Sequence, residues 1–179
     1  PPGTTELSPM AELESEGKIQ KIKKGRILIV GIGGLGSPAA LYLAAAGIGT
    51  LGLADYDAIE ENNLQRQVIY KTKDVGKSKV EAAKKTIQEL NPHVSISIHN
   101  EKLTSKNALS ILDGYDAIID GSDNLPTRYL VNDTCVLLKK PFVYGSIFQF
   151  EGQVAVFHYQ NGPCYRCIFP EPPPPDTIP

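Results

Sequence analysis

Apolar positions follow two rhythms along this chain. Ile27-Leu28-Ile29-Val30 is a short β-branched and aliphatic run, the mark of a buried parallel strand. Pro38 to Ala46 is rich in Ala and Leu and predicts a helix, with Gly47 and Gly49 as stop signals. Leu51 to Ala54 reads as a second strand. Lys77 to Leu90 is a helix that Asn91-Pro92 ends. Val94 to Ile98 alternates like a strand, Ser105 to Leu112 predicts a helix, and Ala117 to Ile119 is another buried strand. Leu125 to Leu138 is a helix and Phe142 to Tyr144 a strand. Gln153 to His158 alternates and adds an antiparallel strand. Strands alternating with helices at this spacing predict an α/β fold: a Rossmann-like, mostly parallel sheet covered on both faces, with antiparallel pairing at the C-terminal end.

Residues 1–25 carry a weaker pattern. Met10 to Lys24 could be helical, with Leu13, Ile19 and Ile22 as an intermittent stripe, or partly disordered. Residues 26–179 form the predicted nucleotide-binding domain. Pro172 to Pro175 reads as a stiff linker from about residue 170, so the natural protein is expected to continue past Pro179.

Composition removes several function classes. The chain has 179 residues, 41% hydrophobic and 21% charged, an ordinary balance for a folded domain. Its net charge of −2 gives no basic field for nucleic acid or anionic lipid. No apolar run approaches the roughly 20 residues that span a bilayer. Three cysteines make no disulfide framework, which points to a reducing, cytoplasmic setting.

The chemistry concentrates just after the strands, where ligands bind in such sheets. Gly31-Ile32-Gly33-Gly34-Leu35-Gly36 lies between a strand and a helix, the context in which backbone N–H groups approach phosphates. The competing reading is a tight packing turn. Asp55 follows the second strand, where a carboxylate accepts ribose hydroxyls; a solvated turn aspartate is the plain alternative. NAD, FAD and ATP all fit these features.

Three further segments favour ATP. In Asn62-Asn63-Leu64-Gln65-Arg66-Gln67, the Arg66 guanidinium suits phosphate oxygens and the asparagines add donors. Lys79 supplies a second cation to stabilise charge at an attacked α-phosphate. Asp123, in Asp120-Gly121-Ser122-Asp123-Asn124, is placed to hold magnesium against phosphates. Each has a plainer reading: Arg66 as a surface ion pair, Lys79 on a solvated helix face, Asp123 as a helix cap. Hydride transfer needs no such cluster around the phosphates, whereas nucleotidyl transfer does. Cys164-Tyr165-Arg166-Cys167 supplies half of a four-ligand zinc site, with redox use as the alternative. Cys135 lies within an apolar helix and reads as a small buried hydrophobe.

Taken in order, Gly31 to Gly36, Asn63 to Gln67, Asp120 to Asn124 and Cys164 to Cys167 resemble the MoeB/ThiF family, relatives of the ubiquitin-activating enzymes. The stretches Ser122 to Asn132 and Gly162 to Pro174 are most similar to the molybdopterin-synthase adenylyltransferase and sulfurtransferase branch, which serves molybdenum cofactor synthesis and tRNA thiolation. The resemblance implies an ATP-dependent adenylyltransferase that transfers AMP to the C-terminal Gly-Gly carboxylate of a ubiquitin-like sulfur carrier. It implies that Gly34 lies against the nucleotide, Asp55 holds the ribose, and Asn62, Asn63 and Arg66, with Leu64 and Gln65 between them, gather the phosphates. It assigns transition-state stabilisation to Lys79, magnesium and nucleotide to Asp123 with Asn124, and zinc to Cys164 and Cys167 with a second pair further along. It also implies a homodimer.

Two departures stand out. Family members carry an N-terminal arginine that reaches the partner subunit's site, and residues 1–25 contain none. The reactive cysteine and the rhodanese-like domain of sulfur-transferring members are not reached. This stretch is therefore expected to bind ATP but to adenylate poorly. A nicotinamide oxidoreductase and a non-catalytic carrier-binding subunit are the rival readings.

Overall fold

The computed structural model describes residues 17–172. It begins with α1 (Lys18–Lys24), β1 (Arg26–Val30), α2 (Gly36–Ala45) and β2 (Thr50–Ala54). Two 3₁₀ turns follow, Glu61–Asn63 and Thr72–Asp74, then α3 (Lys79–Leu90), β3 (Ser95–His99), α4 (Ala108–Asp113) and β4 (Ala117–Asp120). The described chain ends with α5 (Leu125–Leu138), β5 (Phe142–Phe148), β6 (Glu151–Phe157) and the short α6 (Tyr165–Ile168).

One six-stranded sheet has the order β3-β2-β1-β4-β5-β6. All pairs are parallel except the β5–β6 hairpin, where Phe142 faces Phe157 and Ser146 faces Gln153. The α/β fold expected from the alternation is present. Side chains of β1 divide between the faces as a period of two requires. Leu28 and Val30 join a core with Ile118, Val131, Phe142 and Tyr165 under α4 and α5. Ile29 joins the other core, with Leu51, Leu53, Val80 and Ile87 under α2 and α3. Cys135 is fully buried in the first core, and burial lifts its thiol to about 12.

The helix expected over Met10 to Lys24 is present from Lys18; its earlier part lies outside the described residues, as does most of the proline run. α1 buries no side chain and is tied down through its backbone, where the Gly49 N–H donates to the Ile22 carbonyl (3.1 Å). A side chain at Gly49 would collide with the Lys23 carbonyl at 2.0 Å. No helix among the described residues is long and apolar enough to cross a membrane.

Candidate functional site

Strand order reverses between β1 and β4: the chain runs outward from β1 to β3, then returns to lay β4 on the other side. Loops leaving these two strands diverge and open a cleft at the carboxyl edge, the place for ligands in an open α/β sheet. The cleft measures about 920 Å³.

Its floor is the β1–α2 turn. Gly31 has φ 83°, and a Cβ there would stand 2.9 Å from the Gly121 backbone. A Cβ at Gly36 would fall 1.9 Å from the Gly31 carbonyl oxygen. These glycines, with Gly121, interlock the turns that leave β1 and β4. Gly33 and Gly34 differ. Their nearest neighbours would be the Gln67 amide at 3.6 Å and the Arg66 side chain at 3.7 Å, so packing does not demand glycine and the backbone is left open to the cleft. Tyr70 and Ser37 both donate to the Ile32 carbonyl, at 2.7 and 3.1 Å, which fixes the turn's shape.

Asp55 leaves β2 on the opposite wall. Its oxygens accept the Ile32 N–H (2.8 Å) and the Asp57 N–H (2.9 Å), which aims the carboxylate and leaves further lone pairs facing the cleft. Burial raises its pKa above the ordinary aspartate value, against the lowering pull of those N–H groups and of Lys79.

Lys79 opens α3 but is not on a solvated face. It is 7% exposed, lines the cleft, and its Nζ meets the Asp57 carboxylate at 2.9 Å. Arg66 is exposed at the rim, its Nη1 donating to the Asn62 carbonyl (3.1 Å), and it makes no ion pair among the described residues. The cap reading of Asp123 is corrected: Asn124 caps α5, its Oδ1 accepting the Thr127 N–H (3.0 Å). Asp123 lines the cleft and makes no hydrogen bond or ion pair among the described residues.

Of the residues singled out in the sequence, Gly31, Gly33, Gly34, Asp55, Asn63, Arg66, Lys79, Asp123 and Asn124 line one cleft. Gly36, Asn62, Leu64 and Gln65 do not. Gly36 packs beneath the turn, and Leu64 packs against the core. The Asn62 amide donates to Glu60 and accepts from Asn63, at 3.1 and 2.7 Å. Asn63 closes the same turn by accepting the Glu60 N–H (3.1 Å).

Sequence reasoning missed Asp57, Gln67 and Arg128 in the cleft wall. Gln67 is 3% exposed, and its Oε1 is buried without a hydrogen-bond partner among the described residues. Arg128 stands one helical turn past Asn124, a spacing that shares a helix face and was readable. Asp57 carried no such signal, because its lysine partner lies 22 residues away.

Cys164 and Cys167 sit at the ends of the α6 turn with Sγ atoms 3.6 Å apart and no disulfide. Burial raises the Cys164 thiol, but the Cys167 and Arg166 N–H groups and neighbouring side chains outweigh it and lower its pKa. Among the described residues no cluster of three or more His, Cys, Asp or Glu is arranged around a metal position.

The ThiF family matches residues 6–179. An adenylyltransferase and sulfurtransferase MOCS3 from Culex quinquefasciatus is 51% identical over 169 residues, which is 94% of this chain and 38% of that protein. A sulfur carrier protein adenylyltransferase from Thermus thermophilus is 53% identical over 165 residues, 89% of this chain and 61% of that protein. The chain thus spans less than two thirds of the length of each of these relatives. A crystal structure of E. coli MccB with ATP superposes with a TM-score of 0.78 at 28% identity, covering 83% of this chain and 46% of that one.

Proposed function

The chain belongs to the ThiF family, and from that premise we propose that its cleft binds ATP and adenylates the C-terminal Gly-Gly carboxylate of a ubiquitin-like sulfur carrier, ahead of thiocarboxylation in molybdenum cofactor synthesis or tRNA thiolation. One observation carries the reading. A single cleft gathers an open glycine turn, an aimed carboxylate, two cations and a carboxylate without a partner among the described residues. The names of the two adenylyltransferase relatives and the MccB structure with ATP support it.

The ribose hydroxyls would donate to Asp55, and the phosphates would lie along Gly33 and Gly34 between Arg66 and Lys79. The carrier carboxylate is already a nucleophile and needs no general base. Its oxygen attacks the α-phosphorus; the bond from that phosphorus to the bridging oxygen breaks, and pyrophosphate leaves with the electron pair. The product is an acyl adenylate. Charge builds on the α-phosphate oxygens as this occurs, and Lys79, already held by Asp57, needs little reorganisation to meet it. Alignment and charge neutralisation are the protein's whole task.

Asp123 fits magnesium, an ion that commonly takes one or two carboxylates along with substrate phosphates and water. The ion would supply charge neutralisation at the phosphates. Cys164 and Cys167 fit half of a zinc site. A tetrahedral ion with Zn–S bonds of about 2.3 Å separates its sulfurs by about 3.8 Å, close to the 3.6 Å seen here. The free cysteines suit a reducing cytoplasm, and family resemblance makes a homodimer the expected assembly.

Pyrophosphate exchange into ATP, driven by a Gly-Gly-terminated carrier, tests the reading. Arg66→Ala and Asp123→Ala are each expected to abolish exchange while leaving the circular dichroism spectrum unchanged. Near-normal exchange in either variant would overturn that residue's role. Calorimetric titration showing NADH binding in place of ATP would overturn the function.

A further inference from the structure

One stripe of α5 touches both the cleft and the Cys-x-x-Cys turn. On the cleft side, Arg128 is 7% exposed and buried over Asp120, which is 1% exposed. Its Nε donates to Asp120 Oδ2 (3.1 Å) and its Nη2 to the Ser122 carbonyl (3.0 Å). The other Asp120 oxygen accepts the Ser122 N–H (2.9 Å) and hydroxyl (2.5 Å). The turn that presents Asp123 is therefore clamped at every polar group of Ser122, the residue immediately before it.

On the other side, Tyr165 lies between the two cysteines and is 4% exposed. Its N–H donates to Asn132 Oδ1 (2.8 Å), and its ring packs 5.3 Å from that of Tyr144. Tyr144 lies under the Arg128 guanidinium at 4.6 Å, and the Tyr165 side chain interacts with the same guanidinium. Arg166 holds Asp133 with two bonds, of 2.7 and 2.8 Å, and the Phe169 carbonyl accepts the Tyr129 hydroxyl (3.0 Å). The cysteine turn is thus bolted to α5, and its central tyrosine backs the arginine.

We propose that Arg128 is a positioning residue for the nucleotide site, holding Asp123 at the cleft through the Asp120–Ser122 turn, with Tyr165 bracing it from the Cys-x-x-Cys side. The inference rests on the ATP reading above. Arg128 faces the cleft, but both acceptors of its bonds are protein oxygens, so its action on a nucleotide runs through the turn. A buried guanidinium placed only for stability would leave ATP affinity untouched in any variant that still folds. A positioning arginine would not.

A double-mutant cycle on ATP affinity with magnesium, measured by calorimetry, separates the two. Arg128→Gln alone strands a buried carboxylate, which threatens folding, so Asp120→Asn/Arg128→Gln is made beside it. Folding is checked by thermal unfolding. The expected result is a loss of about tenfold or more in affinity for Arg128→Gln or the paired variant. Adding Asp123→Ala then produces little further loss, because residues acting through one contact are non-additive. Arg128→Lys, which can reach one acceptor, recovers part of the affinity. Tyr165→Phe gives a smaller loss that vanishes in the Asp123→Ala background. Unchanged affinity in a folded variant, or losses that add to that of Asp123→Ala, would overturn the proposal. Asp55→Ala serves as the outer control. If unaltered protein binds no ATP, the function and this inference fall together; if it binds ATP with additive losses, this inference falls alone.

Discussion

Lys79 is an awkward residue for a helix to begin with. The first turn of a helix carries positive partial charge, so a cation there is disfavoured by a few tenths of a kcal/mol to about 1 kcal/mol. Lys79 starts α3 and is nearly buried as well. Asp57 offsets part of that cost at 2.9 Å, but its own side chain is half exposed, which weakens the pair. The arrangement suits binding phosphate better than it suits folding. Lys79→Met is therefore expected to lower pyrophosphate exchange by about 10²–10³-fold. The same variant should hold its unfolding midpoint or raise it, since Asp57 can face water. Loss of activity tracked by an equal loss of folded protein would show the lysine to be structural. The sequence displayed Lys79 but not its burial, because the segment that meets it, with Asp57 on its ammonium and Ala58 bridged to Ser78, lies about twenty residues earlier in the chain. The glycine turn was legible as a pattern, yet its parts were not: close packing requires glycine at Gly31 and Gly36, while Gly33 and Gly34 have open space on the cleft side.

Elements whose ends depend on local chemistry were legible to within a few residues, and long-range pairing accounts for most of the rest. β5 continues to Phe148, beyond the expected Tyr144, because β6 pairs with it along its whole length. α4 begins at Ala108 and not Ser105, because Asn107 takes the Thr104 N–H and hydroxyl (2.7 and 3.0 Å) and holds that segment in a turn. α6 was not foreseen at all; four residues carry no periodicity, and its order comes from α5. That dependence is open to test through Asp133. The hydrogen bond from Arg166 lowers the Asp133 pKa below its ordinary 3.8. A depressed folded-state pKa gives stability that is present above the unfolded value and lost as pH falls through the folded one. At neutral pH, Asp133→Asn should speed amide hydrogen exchange across residues 164–169 and leave β1 and β4 protected. Unaltered protein should reach that state only on acidification below about pH 3.8. Equal protection of the 164–169 amides in both proteins at neutral pH would show that the ion pair does not hold the turn.

At the scale of the molecule, the cleft is not carried by either half of the sheet. Asp55, Asp57 and Lys79 come from the β2 side, Asp123, Asn124 and Arg128 from the β4 side, and the Gly31–Gly36 turn lies between them. Separating the halves destroys the site, so a ligand held there must stabilise the whole sheet and not one loop. Linkage sets the size of the effect: at a free ligand concentration of 100 times Kd, binding adds about 2.7 kcal/mol. For a chain of this size each kcal/mol moves the unfolding midpoint by about 2–4 °C, so saturating ATP with magnesium should raise it by roughly 5–11 °C. The shift should grow with the logarithm of ATP concentration once Kd is exceeded. It should shrink in Asp55→Ala, which loses the proposed ribose acceptor, and in Asp123→Ala, and NADH should give none. A shift confined to one probe, with the rest of the sheet melting at its original temperature, would mean that the two sides unfold independently. In that case the interlocked turns at Gly31, Gly36 and Gly121 would not unite the walls of the site.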